Sequence, residues 1–280
     1  MANLAIIGDE IDQDLESVIS AARECNYKGI EVRSVWNTRP DQLKDEQLES
    51  IRRSIKKNGL NIVGFDSPVF KTEIPNTIEQ IEEARNSFLH AVYQARILKA
   101  QFIRIFSFYR KEQPKPKEAG RIIKGIISDI IPEDIMILVE TGMKTNTPSM
   151  EQMIDLLEII NNDKIGVLWD PGNSVYSGFN KKPFPNDYKI GKDFIKHIHV
   201  KDPKGQTEYV NIGEGDVPWK NIVNFLSREG YDGWFSLETH WRPDRIIPQH
   251  IRDNPWYDEF SRGGYEASLK SMKKFASYFK

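Results

Sequence analysis

The sequence predicts an α/β fold in which eight parallel strands close into a single (β/α)8 barrel surrounded by helices. Three observations support this prediction. The chain has 280 residues, and such a barrel typically needs about 250. Short apolar segments alternate eight times with longer charged segments of helical period, as parallel strands with helical crossovers require. The alternative, a doubly wound open sheet, is disfavoured because neither GxGxxG nor GxxxxGK[ST] occurs. We therefore expect one TIM-barrel domain over residues 1–280.

The eight predicted strands are short and rich in aliphatic and β-branched residues, as expected of strands covered by helices. They begin at Leu4, Gly29, Asn61, Phe102, Met136, Gly166, His197 and Trp234. Four of the intervening helices are predicted over residues 14–26, 41–59, 77–100 and 149–162. Gly59 is placed to end the second of these helices, and Ser149 to cap the fourth. Residues 241–263 show neither period and are predicted to form a long loop after the last strand.

Composition excludes several classes of protein. With 39 Lys+Arg against 41 Asp+Glu, the formal charge of −2 disfavours a protein built to bind nucleic acid or an anionic membrane. The single cysteine, Cys25, can form neither an intrachain disulfide nor a multi-cysteine zinc site. No apolar run reaches the ~20 residues of a membrane span, and the start of the chain does not read as a signal peptide. We therefore expect a cytoplasmic protein.

Polar residues follow the predicted strands at the end where barrel enzymes place their active sites. Four stand out, each about one strand–helix unit after the last: Glu140, Asp170, His199 and Glu238. Alternation along the strands directs Glu140, His199 and Glu238 into the barrel. Carboxylates that converge in this way repel one another unless a cation lies among them. Three carboxylates and one imidazole suit one divalent ion such as Mn²⁺, Mg²⁺, Co²⁺ or Zn²⁺, with Mn²⁺ favoured.

Five short motifs carry a resemblance to a known family. They are VETG at 139–142, DPGN at 170–173, HIHVKD at 197–202, NIGEGDVPW at 211–219 and SLETH at 236–240. In order and spacing the chain resembles the xylose isomerase-like TIM barrel superfamily, which contains sugar isomerases and epimerases, inosose dehydratases and AP endonucleases. The resemblance implies that Glu140, Asp170, His199 and Glu238 hold a metal ion. It also implies that Glu140 and Glu238 move protons on opposite sides of the substrate.

Five further residues at the strand ends are candidates for substrate contact. They are Glu31, Arg33, Asn173, Lys201 and His240. For Glu31 and Arg33 an inward ion pair with each other is an equal alternative, and Lys201 can instead pair with Asp202 or Glu238. His197 lies one strand step below His199 and is predicted to be a buried, hydrogen-bonded residue and not a ligand.

The leading functional hypothesis is a metal-dependent isomerase or epimerase. Its substrate would be a small keto-sugar, a sugar phosphate or a polyol-derived ketone, converted through an enediolate with the two glutamates as acid and base. A dehydratase of the inosose type is the close alternative, because the same enediolate can expel a β-hydroxyl group. A non-catalytic sugar-binding barrel is the alternative from another class.

A nuclease is disfavoured by residues that the chain lacks. The endonucleases that resemble it use additional histidines, and none occurs in residues 64–67 or 106–110. Asn173 stands where those enzymes place another histidine. The expected partners are therefore a small-molecule sugar and no nucleic acid or membrane, with a homo-oligomer left open.

Overall fold

Eight of the strands close into a parallel barrel. The computed structural model describes residues 3–279. Its strands are β1 (Asn3–Ile7), β2 (Gly29–Val32), β3 (Asn61–Phe65), β4 (Phe102–Ile105), β5 (Met136–Glu140), β6 (Ile165–Trp169), β7 (Ile195–Val200), β8 (Asp202–Lys204), β9 (Glu208–Val210) and β10 (Trp234–Leu237). Around the barrel the order is β1-β10-β7-β6-β5-β4-β3-β2, and β1 pairs with β2 to close it. The predicted (β/α)8 barrel is confirmed, whereas the antiparallel pair β8–β9 is an addition that the periodicity did not predict.

Helices connect the barrel strands and cover their outer side. They are α1 (Leu15–Glu24), α2 (Asp45–Lys57), α3 (Ile78–Leu98), α4 (Pro116–Ile127), α5 (Met150–Ile160), α6 (Pro171–Ser177), α7 (Asn186–Gly191), α8 (Trp219–Arg228), α9 (Gln249–Asp253), α10 (Asp258–Ser261) and α11 (Gly264–Ala276). The four predicted helices correspond to α1, α2, α3 and α5. Gly59 follows the end of α2 with a φ of 72°, and Ser149 is the N-cap of α5. Within residues 3–279, no helix has the length and apolarity that crossing a membrane requires.

Residues 241–263 are not the uninterrupted loop that their composition predicts, because they contain α9 and α10. Both helices are too short to show a hydrophobic period. Ile247, Ile251 and Phe260 form a small apolar cluster of their own, separate from the main core. Arg242 donates to the carbonyl of Phe260 at 3.0 Å and so ties the two parts of the segment together. The segment is therefore folded by its own packing and by arginine–backbone hydrogen bonds.

The core has two layers, and the inner one positions the functional site. Inside the barrel, five buried side chains with Met136 and Trp234 beside them form a plug: Ala5, Val63, Phe102, Leu138 and Leu168. A larger apolar cluster fills the space between strands and helices. Met136 and Leu138 lie in the plug, and Glu140 follows on the same face of β5, as side-chain alternation predicts. The carboxyl ends of the strands are therefore left for polar side chains.

Gly29 gives a test of how tightly this interior is packed. A Cβ at Gly29 would lie 2.3 Å from Val63 Cγ2, 2.7 Å from Trp234 Cζ3 and 3.0 Å from Ala5 Cβ. We expect Gly29→Ala to lower the free energy of unfolding by about 1–3 kcal/mol, because these side chains must shift. Gly125→Ala is the matched control: it lies in α4 with nothing within 4 Å of its added Cβ, and should stabilise by about 0.5–1 kcal/mol. Denaturant unfolding measures both, and equal stability of Gly29→Ala and wild type would contradict the packing described here.

Candidate active site and metal centre

The four residues predicted as metal ligands meet at the carboxyl ends of four neighbouring strands. Glu140 ends β5, Asp170 follows β6, His199 lies in β7 and Glu238 follows β10. One ligand atom from each lies within 4.8 Å of the others. All four residues are buried, at 3 % exposure or less. The structure thus gathers three carboxylates and one imidazole at one point.

The ligand atoms in this cluster are incompletely satisfied. Glu140 Oε2, Asp170 Oδ2 and His199 Nδ1 are buried and have no hydrogen-bond partner among residues 3–279. Each of the two oxygens lies near a cation, Arg104 Nη1 at 3.3 Å from Glu140 and Lys201 Nζ at 2.7 Å from Asp170. Buried polar atoms without partners are rare in folded proteins and need an explanation. A divalent cation would satisfy Asp170 Oδ2 and His199 Nδ1, and oxygen and nitrogen donors are those that such ions accept.

The orientation of His199 is fixed by Glu31. His199 Nε2 lies 3.1 Å from Glu31 Oε2, and the other carboxylate oxygen of Glu31 lies 2.6 Å from His197 Nε2. Nε2 therefore carries the proton that Glu31 accepts, which leaves Nδ1 facing Glu238 Oε2 at 3.5 Å. A carboxylate on the remote nitrogen is the usual support of a metal-binding histidine. Burial lowers the pKa of His199, but Glu31 and Glu238 outweigh it and raise that pKa well above its ordinary value, so the site attracts positive charge.

A cleft opens beside the cluster. The volume of the cleft is about 560 Å³ when the space that is open to solvent is included. Six of the predicted site residues line it: Arg33, Glu140, Asn173, Lys201, Glu238 and His240. Asn173 donates from Nδ2 to Glu140 Oε1 at 2.9 Å, so it orients that carboxylate.

Glu31 and Arg33 do not pair with each other, so that alternative is wrong. Glu31 is fully buried and has the two histidines as partners. Arg33 instead binds three carboxylates, those of Asp9, Glu10 and Glu238. Glu31 is not among the residues that line the cleft, and its position suits support of His199 better than contact with a substrate.

Lys201 lies inside the cluster. Its Nζ is 2.7 Å from Asp170 Oδ2 and 2.5 Å from Glu238 Oε2, so of its two expected partners Glu238 is found and Asp202 is not. Asp202 has another task, since it accepts hydrogen bonds from the backbone N–H groups of Gly213, Gly215 and Val217. That carboxylate therefore fixes the NIGEGDVPW segment ahead of α8.

His240 lines the cleft and also contacts Glu10 and two aromatic rings. Its Nδ1 is 2.6 Å from Glu10 Oε1, and its backbone N–H donates to Glu10 Oε2. The ring packs edge-on against Tyr209 and Phe260. His240 and Arg33 lower the pKa of Glu10 to about 2, against the opposing effect of burial. An ionised Glu10 therefore holds two residues of the cleft wall in place.

Several residues of the site were not predicted from the sequence. They are Asp9, Glu10, Lys71, Arg104, Arg252 and Trp256. Asp9 and Glu10 follow β1 directly, so the strand-end rule that found Glu140 would also have found them. Arg104 follows Phe102 by two residues, so both side chains lie on the inner face of β4. Lys71, Arg252 and Trp256 lie in connecting segments, where no period predicts which way a side chain points.

Fold and cluster together define a TIM-barrel protein with a candidate metal centre at the face where barrel enzymes react. A model of the xylose isomerase-like TIM barrel family matches residues 19–274. The chain belongs to this family, as the motifs predicted.

Named relatives agree with the assignment. An inosose dehydratase of Lacticaseibacillus casei is 25% identical over 273 residues, covering 86% of this chain and 87% of its own. The fold is shared with a D-allulose 3-epimerase from Methylomonas sp. (TM-score 0.74, 12% identity, 99% and 98% of the two chains). It is also shared with an IolI protein that has a bound zinc atom (TM-score 0.72, 14% identity, 98% and 96%). The chain is an enzyme of the sugar isomerase, epimerase and lyase kind.

Proposed function

We propose that this enzyme depends on a divalent metal ion and removes a proton from the carbon next to the carbonyl group of a small polyhydroxylated ketone. The observation that carries the proposal is the buried four-residue cluster, two members of which, Glu140 and Glu238, also line the cleft. Glu140, Asp170, His199 and Glu238 would hold the ion. When bound, such an ion supplies a Lewis acid that acidifies the C–H bond and stabilises the negative charge that develops.

The two glutamates differ in how they are held, and this difference suggests their order of action. Asn173 holds Oε1 of Glu140, while Oε2 has no hydrogen-bond partner within residues 3–279 and only Arg104 Nη1 as a charged neighbour, at 3.3 Å. In Glu238, Arg33 binds Oε1 and Lys201 binds Oε2. Glu140 thus has an oxygen available to take a proton, and we assign it as the first base. Glu238 would act on the other side of the substrate.

The deprotonated ketone can react in two ways. Return of the proton to the opposite face or to the neighbouring carbon gives an epimer or isomer, and the fold shared with the allulose epimerase suits this outcome. Loss of a β-hydroxyl group instead gives a dehydrated product, and the likeness to the inosose dehydratase over most of the chain favours it equally. Both reactions begin with the same step.

One experiment tests the common step and separates the outcomes. Keto-sugars, their phosphates and inososes are incubated with the enzyme and Mn²⁺ in D₂O. A product that is an isomer of the substrate and carries one carbon-bound deuterium indicates epimerisation or isomerisation. A product that has lost one molecule of water indicates a lyase. Failure of every compound to exchange or react would overturn the proposal and favour a sugar-binding barrel.

The support that Glu31 gives to His199 provides a separate test of the metal centre. We expect Glu31→Gln to weaken the affinity for Zn²⁺ or Mn²⁺ by about 10–100-fold, because His199 loses the acceptor that sets its protonated nitrogen. Calorimetric titration of the metal measures this change. Glu16→Gln, at an exposed position of α1, is the control and should bind metal as wild type does. Equal affinity in both variants would argue against His199 as a ligand.

A further inference from the structure

The wall of the cleft carries more cations than carboxylates. Its lysines and arginines are Arg33, Lys71, Arg104, Lys144, Lys201 and Arg252. The acidic side chains in the same wall are Glu140, Glu238 and Asp253. Four of the cations have a carboxylate partner, such as Asp253 for Lys144 at 2.6 Å. Lys71 and Arg252 are the other two.

Within residues 3–279, Lys71 and Arg252 contact only neutral acceptors. Lys71 Nζ donates to the backbone carbonyl of Asp253 at 3.2 Å. Arg252 donates to the carbonyl of Ile247, to Tyr176 Oη and to Gln249 Oε1. Neither cation is neutralised by these contacts, although Arg252 is only 7 % exposed.

Aromatic rings hold both cations in position. Lys71 Nζ lies 5.5 Å from the centre of the Phe106 ring and 5.7 Å from that of Trp256. The Arg252 guanidinium lies 5.2 Å from the centre of the Tyr176 ring. Cation–π contacts stabilise a charged group without removing its charge. The two cations are therefore ordered before any anion arrives.

Two residues of the cleft wall, Arg104 and Arg252, also carry buried donors without acceptors. In the part of the chain that the structure describes, neither Arg104 Nε nor Arg252 Nε has a hydrogen-bond partner. Burial, with the nearby charges of Arg104 and Arg33, also lowers the pKa of Lys71 to about 8. An anion would accept hydrogen bonds from these guanidinium N–H groups and would balance the charge of the ammonium group. Arginine binds carboxylate and phosphate oxygens through several N–H groups at once.

We propose that the substrate carries an anionic group, a carboxylate or a phosphate, which is bound by Lys71 and Arg252 with Arg104 beside them. This inference rests on the proposed function, because it takes the cleft as the place where the ketone binds. The cations come from the segment after β3 and from α9, so the anion would join the barrel to the segment 241–263. A neutral polyol would leave both charges unbalanced.

Binding of matched ligands tests the inference without requiring turnover. The metal-loaded protein is titrated in a calorimeter with D-fructose, D-fructose 6-phosphate and 5-keto-D-gluconate, which present no charge, a phosphate and a carboxylate. We expect at least one anionic compound to bind 10-fold or more tightly than D-fructose, with an advantage that shrinks as KCl is added. The compound that binds more tightly identifies the kind of anion.

Variants connect this preference to the two cations. Lys71→Gln and Arg252→Gln should each weaken binding of the anionic compound about 10-fold relative to binding of D-fructose. Arg252→Lys keeps the charge and should lose less, and Lys220→Gln, at an exposed position of α8, should lose nothing. Thermal unfolding of each variant checks that the segment 241–263 remains folded.

Equal affinity for the neutral and anionic compounds would overturn the inference, as would variants that weaken both classes equally. If deuterium exchange occurs without a preference for anions, this inference alone fails. If the preference is present while no ketone exchanges, the proposed function alone fails.

Discussion

Glu140→Gln is expected to lower turnover by about 10²–10⁴-fold or more, the range that loss of a general base produces. The amide cannot accept a proton at the position of Oε2, the oxygen that has no hydrogen-bond partner in the described part of the chain. Its remaining carbonyl oxygen can still accept from Asn173, so the fold should be preserved. The rate of solvent deuterium incorporation at saturating metal measures the effect, and thermal unfolding verifies the fold.

The matched control for this substitution is Glu151→Gln, at an exposed position of α5. It changes the same functional group by the same atoms and should exchange protons at the wild-type rate. Wild-type exchange in Glu140→Gln would remove Glu140 from the reaction, and with it the assignment of the first base.

The sequence was sufficient to predict the four-residue cluster because two simple rules apply to it. Residues at the carboxyl ends of parallel strands share one face of the barrel, and alternation decides which of them point inward. Glu140, His199 and Glu238 satisfy both rules, and so does Asp170, which lies two residues after Leu168 of the plug. The first of these rules, applied to the segment after β1, would also have included Asp9 and Glu10.

The partners of these residues were not predictable from the strands that carry them. Glu31 on β2 contacts His197 and His199 on β7, and these strands are not neighbours in the barrel. Such a contact depends on barrel closure and on side-chain length, neither of which a strand pattern contains. Lys71 and Arg252 were still harder to predict, because contacts with the rings of Trp256 and Tyr176 position them within short connecting segments.

The side chain of Arg33 contributes both to the stability of the fold and to the order of the site. Its guanidinium binds Asp9, Glu10 and Glu238, and the residue is 2 % exposed. Removing one member of a buried ion-pair network leaves uncompensated charge and typically costs about 3–5 kcal/mol. We expect Arg33→Met to lower the free energy of unfolding at pH 7 by that amount. Arg53→Met removes an exposed ion pair on α2, in which Arg53 lies 3.6 Å from Glu49. This substitution should cost less than about 1 kcal/mol.

The pH dependence of the Arg33→Met deficit distinguishes loss of charge balance from loss of packing. Burial already raises the pKa of Asp9 and Arg33 opposes that effect, so without Arg33 this pKa rises further. A carboxyl group with a raised pKa in the folded state binds its proton more readily there than in the unfolded chain. The deficit should therefore shrink as the pH falls from 7 towards 4, because protonation removes the unbalanced charge. Urea unfolding at several pH values measures this trend, and a deficit that is constant with pH would mean that Arg33 contributes by packing alone.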